Sequence, residues 1–130
     1  MAQELTKKLL LHKAHAAVLV NAPQDYYDKL QNELPVNGIL TDKLNEDADF
    51  IHLFVHDSSE LQNALKEVLK HLKSDGILWI SYPKKSSKIK SDLSRDLLQS
   101  LLRETNYEGV SLISIDETWS AMRVKPMKVH

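Results

Sequence analysis

The constraint that bites hardest on this chain is the order of events across residues 72–87, LKSDGILWISYPKKSS. An amphipathic run gives way at Ser74-Asp75-Gly76. A short apolar run, Ile77-Leu78-Trp79-Ile80-Ser81-Tyr82, follows, and Pro83 stops it before a basic, serine-rich loop. A strand without polar alternation is one covered on both faces, as when helices pack on both sides of a parallel sheet. The stretch therefore describes a helix feeding a buried strand whose carboxyl end opens onto cations. In open parallel sheets that end is where ligands sit.

Two other runs have the same character: Ala16-Ala17-Val18-Leu19-Val20, ended by Asn21-Ala22-Pro23, and Phe50-Ile51-His52-Leu53-Phe54-Val55, bounded by acidic turn residues. Segments of helical period lie between the runs. Tyr26, Tyr27 and Leu30 recur on one side of a helix with Pro23 in its first turn, where a missing backbone donor costs nothing, and Pro35 closes it. Leu61, Leu65, Val68, Leu69 and Leu72 form the stripe of a helix begun at Ser58, and Gly76 gives the backbone freedom to leave it. Leu93, Leu97, Leu98, Leu101 and Leu102 mark a helix capped near Ser91-Asp92 and running through Thr105. Leu5, Leu9 and His12 predict a short amphipathic helix over residues 3–12, and Val36, Ile39 and Leu40 a weak strand. Residues 110–115 and 118–124 alternate and read as an antiparallel pair at the sheet edge. Strands separated by helices imply right-handed crossovers. The expected fold is α/β: a Rossmann-like three-layer sandwich, its sheet mostly parallel with a C-terminal antiparallel hairpin, in a single domain over residues 1–130.

Composition sets the outer limits. With 42% hydrophobic and 27% charged residues, 130 residues suffice for one domain with a real core. A net charge of -1 gives no global pull toward nucleic acid or an anionic membrane, so an anion site has to be a local patch. The absence of cysteine excludes disulfides, thiolate metal sites and a cysteine nucleophile, and fits a reducing compartment. The apolar run Leu9-Leu10-Leu11 is interrupted by His12, Lys13 and His15 well short of a signal core or a membrane span, so the expected location is the cytoplasm.

Residues 72–84 and the order of elements around them resemble the second half of a class I S-adenosylmethionine-dependent methyltransferase. That resemblance makes residues 17–21 the family's first strand and implies a glycine-rich turn behind it for the cofactor. Here the turn is Val20-Asn21-Ala22-Pro23-Gln24-Asp25, whose side-chain bulk opposes close approach of backbone to a ligand. The resemblance also implies an acidic residue for the ribose, and Asp42 is the one at hand. From Val18 onward the chain is similar to a family of small uncharacterised bacterial proteins that look like abbreviated methyltransferase folds, through VLVNAP (18–23), PKKSS (83–87), SDLSRD (91–96) and DETWSAMR (116–123). That family brings no activity with it. The expectation is a methyltransferase-like binding module without methyl transfer and without a cofactor. The alternative keeps S-adenosylmethionine in an altered site of Asn21, Ala22, Asp42, His56 and Tyr82.

The strongest local chemistry is Lys84, Lys85, Ser86, Ser87, Lys88 and Lys90 running into a helix start, with Arg95 one turn inside. Cations, hydroxyls and the free amides of a helix N-terminus together hold phosphate or carboxylate. The plainer reading is a solvated loop that keeps the chain soluble. Asn21 and Ala22 leave the first strand where strand order should reverse, with Tyr26 or Tyr27 placed to stack on a ligand; turn chemistry and packing are the plainer reading there. His52 and His56 share strand spacing, yet His52 sits in an apolar run as a core histidine does, a third ligand is missing, and no metal is expected. Trp119 is expected to face inward and anchor the hairpin on the last helix. The candidate ligand-binding set is Asn21, Ala22, Tyr26, His56, Tyr82, Lys84, Lys85, Ser86 and Arg95. No catalytic residue stands out. The expected partner is a small anion or a protein, with no membrane, and with no nucleic acid because aromatic residues are not interleaved with the lysines.

Overall fold

The computed structural model of the chain describes residues 9–10, 15–31, 38–44 and 46–127. Strand β1 (Ala16–Val20) is followed by α1 (Gln24–Gln31), β2 (Ile39–Thr41), β3 (Ala48–Phe54), α2 (Ser58–His71) and β4 (Leu72–Pro83). Then come α3 (Arg95–Arg103), β5 (Tyr107–Ser114) and β6 (Trp119–Pro126). The strands make one sheet in the order β2-β1-β3-β4-β6-β5, parallel from β2 to β4 and antiparallel from β4 through β6 to β5. This is the expected α/β sandwich with its C-terminal hairpin. Strand order reverses at β1, which has β2 on one side and β3 on the other.

The unbroken apolar runs become strands because both of their faces are covered. Val18, Ile51, Leu78 and Val124 lie side by side across β1, β3, β4 and β6 and share a layer with Leu61, Leu65 and Val68 of α2 and Leu98 and Leu102 of α3. One residue along, Leu19 and Trp79 belong to the opposite layer, with Phe50, Phe54 and Ala121, against Tyr26 and Leu30 of α1 and against Leu9. Each fully buried side chain of this size contributes about 1.5–3 kcal/mol relative to exposure, so the two layers hold the short helices more than helix propensity does. Trp79 also donates its indole N–H to the Leu9 carbonyl at 2.9 Å, which pairs a polar group that burial would otherwise strand.

Helix starts follow from their caps. The Asp57 carboxylate accepts from the Glu60 amide at 2.9 Å to begin α2, and the Ser94 hydroxyl accepts from the Leu97 amide at 3.2 Å to begin α3. The cap expected near Ser91-Asp92 is therefore displaced by one helical turn. Asp92 instead accepts from both the amide and the hydroxyl of Ser58, pinning the loop before α3 to the start of α2. Pro23 stands just before α1, its carbonyl accepting from the Tyr26 and Tyr27 amides, both at 3.1 Å.

Gly76 does not release α2. The helix ends at His71, β4 begins at once at Leu72, and no glycine has a positive φ among the described residues. The register against β3 jumps from Ala48↔Leu72 to Phe50↔Ile77, so residues 73–76 bulge out of the ladder. Glycine suits position 76 because a Cβ there would lie 2.7 Å from Leu72 Cδ1 and 2.9 Å from the Lys73 carbonyl oxygen. Trp119 faces inward, but into the layer opposite α3: alternation along β6 sends Trp119 and Ala121 toward Phe54, and Met122 and Val124 toward α3. Apart from Leu9 and Leu10, the helix expected over residues 3–12 lies outside the described residues, as do Pro35 and Val36. Among the described residues no helix is long and apolar enough to cross a membrane.

Candidate functional site

At the carboxyl end of β4 the chain turns from Pro83 into the basic loop, and the hairpin fixes the first lysine. The Lys84 amide donates to the Thr118 carbonyl at 2.8 Å and its ammonium to the Ser114 hydroxyl at 2.6 Å. Ser87 closes the turn by donating its amide and its hydroxyl to the Lys84 carbonyl, at 3.0 and 2.7 Å. A cleft of about 580 Å³ opens between this turn, the start of β6 and the N-terminus of α3, lined by Tyr82, Lys84, Lys85, Ser86, Leu93, Ser94, Arg95, Asp96 and Ser120.

Tyr82 is the most buried polar residue of that lining. It is 6% exposed, and its hydroxyl has no hydrogen-bond partner among the described residues. Burial pushes its phenol above the usual range, and the Arg95 guanidinium nearby pulls it partly back. At neutral pH the group is therefore a protonated donor. The first two amides of α3, those of Arg95 and Asp96, likewise have no acceptor among the described residues, since Ser94 takes the amide of Leu97.

A smaller cleft of about 310 Å³ lies at the carboxyl ends of β1 and β2, lined by Leu19, Asn21, Ala22, Gln24, Tyr27 and Asp42. Asn21 has a φ of 60°, the left-handed conformation that favours glycine and that asparagine tolerates better than most residues. The main chain thus leaves β1 through the backbone angle that glycine customarily supplies, while Ala22 and Pro23 keep the side chains expected to oppose close approach of backbone to a ligand. Tyr27 donates its hydroxyl to the Leu40 carbonyl at 3.2 Å, tying α1 to β2.

The nine candidate residues divide accordingly. Tyr82, Lys84, Lys85, Ser86 and Arg95 share the larger cleft, and Asn21 and Ala22 the smaller, together with Asp42. Tyr26 and His56 line neither. Tyr26 is turned under the sheet, 7% exposed, and has no ring face to stack on a ligand. His56 lies beyond β3, where its amide and its Nδ1 both sit 3.0 Å from Glu60 Oε1 and its ring packs edge-on to Trp119. Once the chain has left the strand, the shared spacing with His52 no longer implies a shared face. Among the described residues no cluster of three or more His, Asp or Glu side chains could hold a metal ion.

No protein-family model matches the chain, and no curated protein sequence matches it. Solved structures do match. DhpI in complex with SAH superposes with a TM-score of 0.66 at 8% identity, over 97% of this chain and 83% of that one. The ribosomal protein L11 methylase from Lactobacillus delbrueckii subsp. bulgaricus gives 0.60 at 9% identity, over 98% and 77% of the two chains. An S-adenosylmethionine-dependent methyltransferase from Clostridium acetobutylicum gives 0.57 at 11%, over 98% and 91%. The fold is that of the class I methyltransferases. At these identities the likeness concerns the scaffold and leaves the chemistry to the residues themselves.

Within this methyltransferase fold the sequence conceals one further polar feature. His52 Nδ1 is 3.0 Å from the Tyr26 hydroxyl, and its Nε2 is 2.6 Å from Ser81 Oγ. His52 and Ser81 are fully buried. Desolvation lowers the His52 pKa to about 3, so the imidazole is neutral, while burial and then the Asp116 carboxylate raise the Tyr26 phenol. A neutral imidazole has one N–H. One ring nitrogen therefore donates and the other accepts, so that one hydroxyl gives its proton to the imidazole and the other takes a hydrogen bond from it. His52 is thus the satisfied core histidine that its apolar run announces. Its partners come from α1 and β4, brought together only by the topology.

Proposed function

We propose that this chain is a methyltransferase-like binding domain that holds a small anionic ligand in the cleft of Tyr82, Lys84, Lys85, Ser86 and Arg95, and that it does not transfer methyl groups. The observation that carries this reading is the Tyr82 hydroxyl, which has no partner among the described residues and stands in the cleft wall beside two open amides of α3. A loop serving solubility alone has no need of a lysine held at both its amide and its ammonium, as Lys84 is. The cleft volume of about 580 Å³ suits a small molecule better than a protein surface. Loss of methyl transfer is supported by Ala22 and Pro23 standing where the family's cofactor turn calls for glycine.

A second reading, S-adenosylmethionine in an altered site, is favoured by the left-handed Asn21 facing the same cleft as Asp42, and by the SAH bound in the DhpI structure. Thermal shift and calorimetry separate the two. Phosphate should stabilise the protein by about 2.7 kcal/mol at a hundredfold excess over its dissociation constant. The Lys85→Ala and Arg95→Ala variants should lose that response, and adenosyl compounds should give none. No response to phosphate or to any other small anion, phosphate esters and carboxylates included, would end the first reading. Stabilisation by S-adenosylhomocysteine that disappears in Asp42→Asn would establish the second.

A further inference from the structure

Resting on the anion reading above, we infer that the cleft between β4 and α3 is built for a phosphate monoester, bound as its dianion by the Tyr82 hydroxyl, the Arg95 guanidinium, the Lys85 ammonium and the first two amides of α3. The lining is almost entirely made of donors. They come from three separate elements: Tyr82 from the carboxyl end of β4, Lys85 and Ser86 from the loop, Arg95 and the free amides from α3. A tetrahedral group with three terminal oxygens meets donors arriving from three sides. A carboxylate has two oxygens in one plane and leaves one side unserved.

Charge points the same way. Lys84, Lys85 and Arg95 face the single carboxylate of Asp96, a surplus of two positive charges. Lys84 acts at longer range, since its ammonium is on Ser114. A phosphomonoester carries between about -1.5 and -2 charges at pH 7, and a diester or a carboxylate carries one. The helix dipole of α3 adds its positive end at the same place. A helix N-terminus alone would be a weak claim. The independent observation is Tyr82, more than nine-tenths buried, its hydroxyl unpartnered and part of this same lining. The volume far exceeds an orthophosphate ion and leaves room for an organic group over Leu93.

The test is calorimetric titration of the full chain with phenyl phosphate, methyl phenyl phosphate, benzoate and inorganic phosphate, at pH 5 and pH 8. No histidine lines the cleft, so the main titration across this interval is the second ionisation of the ester, near pH 6. Phenyl phosphate is expected to bind about tenfold more tightly at pH 8 than at pH 5, following its dianion fraction. At pH 8 the diester and benzoate should bind at least tenfold more weakly than phenyl phosphate, and inorganic phosphate more weakly than the ester. Tyr82→Phe should lose about tenfold for phenyl phosphate and Arg95→Gln more, with melting curves confirming that both are folded; Lys85→Ala serves if Arg95→Gln is not. Equal binding of ester and diester, or indifference to pH, overturns the dianion assignment and leaves the anion site standing. Tighter binding of inorganic phosphate overturns the ester, and an unmoved Tyr82→Phe overturns the phenol's part. If none of the four probes binds, the anion reading itself falls.

Discussion

Two tyrosines press against the same sheet and end in opposite situations. Tyr26 and Tyr82 are equally buried, at 7% and 6% exposure, and burial raises the pKa of both. The Tyr26 hydroxyl is met by His52, which is met in turn by Ser81, so both ring nitrogens and both hydroxyls are engaged inside the protein. Tyr82 stands near the end of β4, where the cover of α3 is just beginning, and its hydroxyl meets a cleft. A buried hydrogen-bonded network holds a structure together, whereas a donor left open at a strand's carboxyl end is available to something from outside. The contrast leaves one tyrosine engaged within the fold and the other open to the cleft.

The largest effect that would sharpen this contrast is on pH. His52 has a folded pKa of about 3 against an unfolded value of 6.5, so the unfolded chain takes up the proton first. Its contribution is whole above pH 6.5 and declines as the pH falls toward 3, by as much as about 5 kcal/mol. Denaturant midpoints measured across that interval should show the slope, and a variant with Tyr26→Phe, His52→Leu and Ser81→Ala together should lose it. A slope that survives in the triple variant would break the comparison on its structural side. Next in size, Ser81→Ala alone leaves Nε2 of His52 without a partner and should cost about 1–3 kcal/mol in urea unfolding, with anion affinity unchanged. Ser94→Ala removes the α3 cap and should cost about 1 kcal/mol. Smallest of all, Tyr82→Phe should leave the unfolding free energy the same or slightly higher while weakening the binding of phosphate. A loss of stability there as large as that of Ser81→Ala would mean the two tyrosines do the same job.

Much of the scaffold can be read directly from the residues. Runs such as 16–20, 50–55 and 77–82 lie in strands covered on both faces, so hydrophobicity alone reports them. Gly76 misleads because glycine after an amphipathic run usually marks a helix exit; here the chain leaves extended at Leu72 and the glycine makes room inside a bulge. Trp119 is legible as buried but not by layer, because its face depends on the β6 register against β4. The larger cleft was legible because Tyr82 through Ser86 are contiguous, and Arg95 follows at the next helix start. The Tyr26–His52–Ser81 chain was not, since its members lie on three elements far apart in sequence. A histidine and a serine set within otherwise apolar strands were the available sign. For Asn21 the sequence shows a side chain where glycine is customary, but not that asparagine can take the same backbone angle.

The last strand in sequence is not the last strand in space. β6 lies between β4 and β5, with Ser81 paired to Ala121 on one side and Ile113 to Ala121 on the other. A ribosome releasing this chain through residue 118 has therefore delivered a sheet with a gap in its interior. β5 has no neighbour in the sheet until β6 is in place. Closure of the sheet, the inward seating of Trp119 and the fixing of Lys84 by Thr118 all depend on that one insertion. The cleft beside Tyr82, whose wall includes Ser120, is complete only when β6 has joined the sheet.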